Sequence, residues 1–165
     1  MSRKRRDELM AAGIEETRGW QVDQDMFDEA AATYAGVNRT DWRCIDILDR
    51  GGPMTAGHLA REARLTTGAV TAVLDRLERA GYLRRVRDAA DRRKVMVEIT
   101  PEVARRSAPV FGPMVEEGMR EMSGYTEDEM AVILDFLRRY RAVIQRHTAR
   151  VQELLSPGAT DGPPR

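Results

Sequence analysis

A mainly α-helical chain with one small β-hairpin is predicted by three observations. Apolar residues recur at helical spacing over most of the length, the period changes to two over a single stretch after Gly81, and N-cap, Gly and Pro residues cut the chain into short helices. With 165 residues and 42% apolar content, one compact domain with appended helices is expected, and a second independent core is not.

A short amphipathic stretch, Asp7 to Thr17, precedes a longer helix from about Gly19 to Gly36, striped by Trp20, Met26, Phe27, Ala30, Ala31 and Tyr34. Gly36 stops it. Asn38 and Thr40 offer cap oxygens for the helix carrying Trp42, Cys44, Ile45, Ile47 and Leu48, which Gly51-Gly52-Pro53 ends. Thr55 caps a short helix with Leu59, Ala60 and Ala63 on one face. After the turn Arg64-Leu65-Thr66, Thr67 is expected to cap a helix whose Val70, Val73, Leu74 and Leu77 face inward, and Gly81 suits a left-handed stop. Two helices joined by a tight turn make a helix-turn-helix.

Val95, Val97 and Ile99 then alternate with polar neighbours, Tyr82 to Arg87 supplies the partner strand, and Asp88-Ala89-Ala90-Asp91 is the polar tip. Thr100-Pro101-Glu102 is a helix start, and Pro109, Gly112 and Pro113 are expected to kink or divide the helix it opens. A capping box, Thr126 to Glu129, opens a final helix carrying Met130, Ile133, Leu134, Leu137, Val143 and Ile144. The organisation expected is an N-terminal extension and linking helix over 1–37, a helix-turn-helix lobe with its hairpin over 38–100, further helices over 101–155, and a disordered Pro- and Gly-rich tail over 156–165.

Net charge is zero, with 27 basic and 27 acidic residues, so distribution has to decide what the overall balance cannot. From Arg84 to Lys94 six basic residues face only Asp88 and Asp91, whereas Glu15 to Glu29 holds six acids against Arg18. Such polarity along a chain points to nucleic acid. Helix, helix-turn-helix and basic hairpin together form a winged helix, whose second helix is sized for the major groove. Its open side carries Thr67, Gly68, Thr71, Ala72 and Arg76, with Thr66 in the turn before it. Hydroxyls and amides there can meet phosphates or base edges, and small residues permit close approach. A basic hairpin can also be a solvated edge protected from aggregation; the preceding helix-turn-helix favours DNA.

In these residues and their order the chain resembles the MarR family, the multiple-antibiotic-resistance type of bacterial regulators, over roughly Asn38 to Thr100. The stretch Leu65 to Leu83 looks like that family's recognition helix and following turn. Asp91-Arg92-Arg93 is similar to its D-x-R wing signature, and Ile99-Thr100 stands where the family has Leu-Thr. The resemblance implies Thr67 and Thr71 in the major groove, Arg93 positioned by Asp91 and entering the flanking minor groove, and Arg87 and Arg92 near phosphates, with Lys94 in the same basic run. It also implies N- and C-terminal dimerisation helices and release from an inverted-repeat operator by a small lipophilic or aromatic effector. Ala72, where the family often carries Arg, departs from the pattern, as do Pro109 and Pro113 within a helix that is usually one long dimerisation element. The extension through Thr17 lies outside the match.

Trp20, Tyr34 and Trp42 are candidates for an effector pocket, although core packing is the commoner role of apolar residues at helical spacing. The lone Cys44 excludes an internal disulfide, and a buried structural thiol is a better reading than an oxidation sensor. His58 and His147 have no partner at metal-ligand spacing. With no phosphate loop, nucleophile elbow or metal motif, neither an enzyme nor a cofactor is expected. No stretch approaches the roughly eighteen apolar residues of a membrane span, so a cytoplasmic protein is expected. The apolar stripes of Gly19 to Gly36 and Thr126 to Leu155 exceed what one winged helix covers, which predicts a homodimer. The function expected is therefore DNA-binding regulation, with repression as the mode. A winged-helix protein-interaction module without sequence-specific DNA binding is the alternative.

Overall fold

The computed structural model describes residues 2–88 and 90–155, so the expected tail at 156–165 lies outside the described residues, as does Ala89 in the hairpin tip. The chain forms two compact units, one up to Pro113 and one from Met114.

In the first unit, α1 (Arg3–Tyr34) is a single helix of 32 residues in place of the two expected stretches. Gly13 and Gly19 weaken a helix by about 1 kcal/mol each relative to Ala but break no hydrogen bond, and no Pro interrupts the run. α2 (Arg39–Gly51) follows, with the Asn38 side chain accepting from the Asp41 amide. β1 (Met54–Thr55) leads directly into α3 (Ala56–Ala63), whose first turn Thr55 caps. α4 (Thr67–Arg79) is capped by Thr66, whose hydroxyl accepts from the Ala69 amide at 3.2 Å. The expected cap, Thr67, is instead the first helical residue. Thr66 holds the extended backbone that a cap needs (ψ 160°).

Three helix ends share one device. At Gly36, Arg64 and Gly81 the backbone turns to positive φ (70°, 55° and 79°), and the next amide reaches back across the turn: Val37 to the Ala32 carbonyl, Leu65 to Ala60 and Tyr82 to Leu77. This is the Schellman closure. At Arg64 it leaves only Arg64, Leu65 and Thr66 between α3 and α4, which makes the turn of the helix-turn-helix tight.

β2 (Leu83–Arg87) and β3 (Val95–Ile99) pair antiparallel, with Leu83 opposite Ile99 and Arg87 opposite Val95. The sheet has three strands in the order β1-β3-β2, because Met54 and Thr55 pair with Val97 and Met96. Sequence patterning does not reveal β1, since two residues carry no period. Leu48, Leu59, Val70, Val73, Leu74, Leu77, Tyr82 and Val97 are fully buried, so the core lies between α2, α3, α4 and the sheet. Burying each such aliphatic side chain contributes about 1.5–3 kcal/mol.

α5 (Pro101–Met122) starts where expected and continues into the second unit. It runs unbroken through Pro109 and Pro113. Each Pro deprives one carbonyl, those of Arg105 and Pro109, of its helical donor, but both residues are exposed and water can serve them. In the second unit α6 (Glu127–Leu155) opens with the expected capping box, in which the Thr126 amide donates to Glu129 at 2.8 Å and the Glu129 amide donates to Thr126 at 3.3 Å.

Candidate nucleic-acid interface

α4 presents its first turns to solvent because Val70, Val73, Leu74 and Leu77 anchor the opposite face in the core. Thr66, Thr67, Gly68, Thr71 and Ala72 are all exposed, and Gly68 has open space where a side chain would stand. The Thr71 hydroxyl donates to the Thr67 carbonyl at 2.9 Å, which holds its lone pairs outward. No long side chain rises from this patch, so a nucleic-acid groove could approach the backbone closely.

Arg76, on the same helix, also has a structural partner. Its guanidinium Nε and Nη2 donate to the Asp41 carboxylate at 3.0 and 2.5 Å, and Asp41 is only 2% exposed. Arg76 therefore clamps α4 to α2. An otherwise unpaired buried carboxylate dictates this, and the Asp41 to Arg76 separation hides it from sequence patterning.

The hairpin sorts its cations. Arg84 is paired with Glu98, and Arg85 with Asp75 and Glu78. Arg87, Arg92 and Arg93 are exposed and have no ion pair among the described residues. Lys94 reaches Asp91 at 3.8 Å. The free positive charge is thus concentrated toward the tip, more sharply than composition implies. Two carboxylates shape that tip: Asp88 Oδ1 accepts from the Ala90 and Asp91 amides at 2.9 and 2.7 Å, and Asp91 Oδ1 accepts from the Arg93 amide at 3.1 Å. Asp91 acts on the Arg93 backbone. Asp88 was not singled out from sequence, although an Asp at the start of a turn is a usable signal. The amides of Asp91 and Ala90 hold its carboxyl below the ordinary Asp range.

The three candidate pocket aromatics do not come together. Trp20 and Tyr34 are exposed, whereas Trp42 is half-buried and stacks on Phe111 with centroids 5.6 Å apart. Phe27 meets Phe111 edge-on at 5.3 Å. Trp42 and Phe111 line a cleft of about 510 Å³ between α1, α2 and α5, with Arg39, Arg43, Asp46 and Asp49 on its walls. Arg39 is held by Asp25 and Asp28. Phe111 escaped notice because it sits between two prolines where a helix break was expected.

Tyr82 joins this cleft's helices to the winged helix. Its buried hydroxyl donates to the Ala35 carbonyl at 2.6 Å, at the end of α1. Arg106 of α5 donates to the Tyr82 hydroxyl oxygen at 3.2 Å and lies 5.0 Å above the ring. The Thr100 hydroxyl donates to the Gly81 carbonyl at 2.6 Å. The end of α1 and the start of α5 are therefore both tied to the root of β2.

Cys44 is buried, and desolvation pushes its thiol up to about 11. That leaves it without the thiolate a redox sensor needs. His58 lies 3.6 Å from Glu62 on an exposed face, and His147 is exposed. Among the described residues no helix is long and apolar enough to cross a membrane.

A family model described as MarR family matches residues 35–94. A Bacillus subtilis (strain 168) protein, the uncharacterized HTH-type transcriptional regulator YcgE, is 34% identical over 92% of this chain and 99% of its own length. The crystal structure of transcriptional regulator PA4135 matches with a TM-score of 0.53 and 26% identity, covering 81% of this chain and 96% of that one. The S. aureus MepR F27L mutant bound to oligodeoxyribonucleotide shares the fold, with a TM-score of 0.52 and 15% identity over 81% of this chain and 97% of that one. With a winged helix-turn-helix in place and a relative this similar along nearly its whole length, the chain belongs to the MarR family of transcription regulators.

Proposed function

We propose that the protein is a cytoplasmic, homodimeric repressor that binds double-stranded DNA and is released by a small aromatic or lipophilic effector. The observation that carries the DNA reading is the pairing of a low, hydroxyl-lined α4 surface with three guanidinium groups on the wing, Arg87, Arg92 and Arg93, that have no ion pair among the described residues. Thr67 and Thr71 read base edges in the major groove, Thr66, Gly68 and Ala72 allow the close approach, and Arg93 enters the flanking minor groove. Arg87, Arg92 and Lys94 meet phosphates. The oligonucleotide-bound MepR structure, of the same fold, supports this assignment.

Dimerisation rests on apolar side chains that the single chain leaves exposed, among them Ile14 on α1, Met119 on α5 and Val132 on α6. Residues 1–37 and 101–155 supply that interface, and residues 38–100 the DNA-binding lobe. The effector occupies the cleft over Trp42 and Phe111, and the ties of Tyr82 to α1 and α5 carry its effect to the wing. Trp20 and Tyr34 then belong to the dimer-forming helices and not to the pocket. Selecting genomic DNA fragments on the purified protein tests the reading. Enrichment of an inverted repeat with half-site centres about 10 to 10.5 base pairs apart is expected, while failure to retain any fragment above background at low salt would favour a protein-interaction module.

A further inference from the structure

We propose that Arg85 is a positioning residue for DNA binding: by holding Asp75 and Glu78 together it locks the wing to α4, so that helix and hairpin tip meet the duplex at one fixed angle. The proposal rests on the DNA reading and adds what sets the geometry between its two contact surfaces.

Asp75 and Glu78 are exposed on α4, three residues apart and therefore neighbours on one face. Two such carboxylates repel each other, and on a helix that approaches phosphates they also oppose binding. Arg85 of β2 offsets both effects. Its guanidinium donates to Asp75 Oδ1 through Nη2 at 2.7 Å and to Glu78 Oε2 through Nη1. A planar guanidinium with both Nη arms held by carboxylates of one helix has little freedom to swing. Glu78 reaches the strand a second time, through Oε1, which accepts from the Arg85 amide at 3.4 Å. β2 is an edge strand in the order β1-β3-β2, so this outward amide has no further strand to pair with. α4 thus grips β2 by backbone and side chain at once.

Register turns that grip into control of the wing. Leu83, Arg85 and Arg87 share one face of β2. Leu83 is buried in the core, whereas Arg87 stands opposite Val95 in the last pair of the ladder. Arg85 is midway between that anchored root and the tip carrying Arg92 and Arg93, so a rotation of the strand at Arg85 is magnified at Arg93. Exposed ion pairs add little to stability. The consequence of this one is the direction it gives the hairpin.

The test measures affinity for a duplex operator, selected from genomic fragments, as a function of salt. It compares the wild type with Asp75→Asn/Glu78→Gln and Arg85→Met, each with and without Arg93→Ala, and follows the thermal melting of every variant. Neutralising two acids on a surface that meets phosphates tightens binding if charge alone matters. Positioning requires the reverse. Asp75→Asn/Glu78→Gln should bind about tenfold more weakly than the wild type, and the slope of log affinity against log salt should flatten by about one phosphate equivalent as Arg93 loses its place. Adding Arg93→Ala should then change neither affinity nor slope, and Arg85→Met should behave in the same way. The variant lacking the two acids keeps Arg85 and the strand pairing, so it decides the question even if Arg85→Met fails to fold. Tighter or unchanged binding by Asp75→Asn/Glu78→Gln overturns the proposal. So does an Arg93→Ala effect that keeps its full wild-type size once the bridge is broken. A wild type that retains no fragment at low salt would instead contradict the DNA reading.

Discussion

The Asp41–Arg76 pair has consequences beyond its own contact, because one partner is buried and the other stands on α4, the helix proposed to face DNA. Arg76→Ala strands a buried carboxylate and should cost about 1–3 kcal/mol in urea unfolding, discounted here because the guanidinium is partly solvated. Loss of DNA affinity in that variant should follow loss of fold, and a variant of wild-type stability would show that the clamp does nothing. Cys44 behaves in the opposite way to a sensor. With its thiol raised from 9.0 to about 11 by burial, the folded state keeps the proton that the unfolded chain gives up near pH 9. The stability this contributes is complete below that pH and is lost as pH rises through about 11. Cys44→Ala should remove that alkaline contribution while leaving DNA binding and its response to peroxide unchanged. Rapid labelling by a thiol reagent at pH 7 in the native state would contradict the assignment.

At the level of elements, the three Schellman ends fix where helices stop, and only one of them uses a residue for which positive φ is strained. Gly81→Ala, at φ 79°, should lower stability by about 1–2 kcal/mol. Arg64→Gly, at φ 55°, should change stability little or raise it, as measured by thermal melting; a large loss there would mean the Arg64 side chain holds the turn. Gly36, Gly81 and the Thr126 box were legible in sequence because each acts through residues next to it in the chain. Four features were not, for physical reasons. β1 is too short for a period, and α1 ignores Gly13 and Gly19 because tolerated glycines leave its hydrogen bonds intact. α5 crosses two prolines because the freed carbonyls face water. The Thr66 cap is decided by a backbone turn one residue earlier. Of the site, the exposed threonines and wing arginines follow from local pattern, whereas the partners of Arg76, Trp42 and Tyr82 come from distant segments.

For the whole molecule, the cleft over Trp42 and Phe111 lies between helices that Tyr82 ties to the winged helix, so a ligand bound in it should compete with DNA energetically without touching it. Aromatic and lipophilic compounds that bind should quench the fluorescence of Trp42, and Trp42→Phe should remove that signal while the exposed Trp20 remains. By linkage the factor by which ligand weakens DNA must equal the factor by which DNA weakens ligand. A compound that quenches Trp42 and leaves DNA affinity unchanged would separate the cleft from regulation.

The claim that the wing and α4 together bind duplex DNA is tested most directly by the salt dependence of operator binding in the wild type, Arg93→Ala and Thr71→Ala. Arg93→Ala should weaken binding to all operator sequences alike and flatten the slope of log affinity against log salt by about one phosphate equivalent. Thr71→Ala should keep the wild-type slope and relax preference at one or two base pairs in each half-site. Wild-type affinity and slope in Arg93→Ala would show that the wing is a solvated hairpin and would contradict the account.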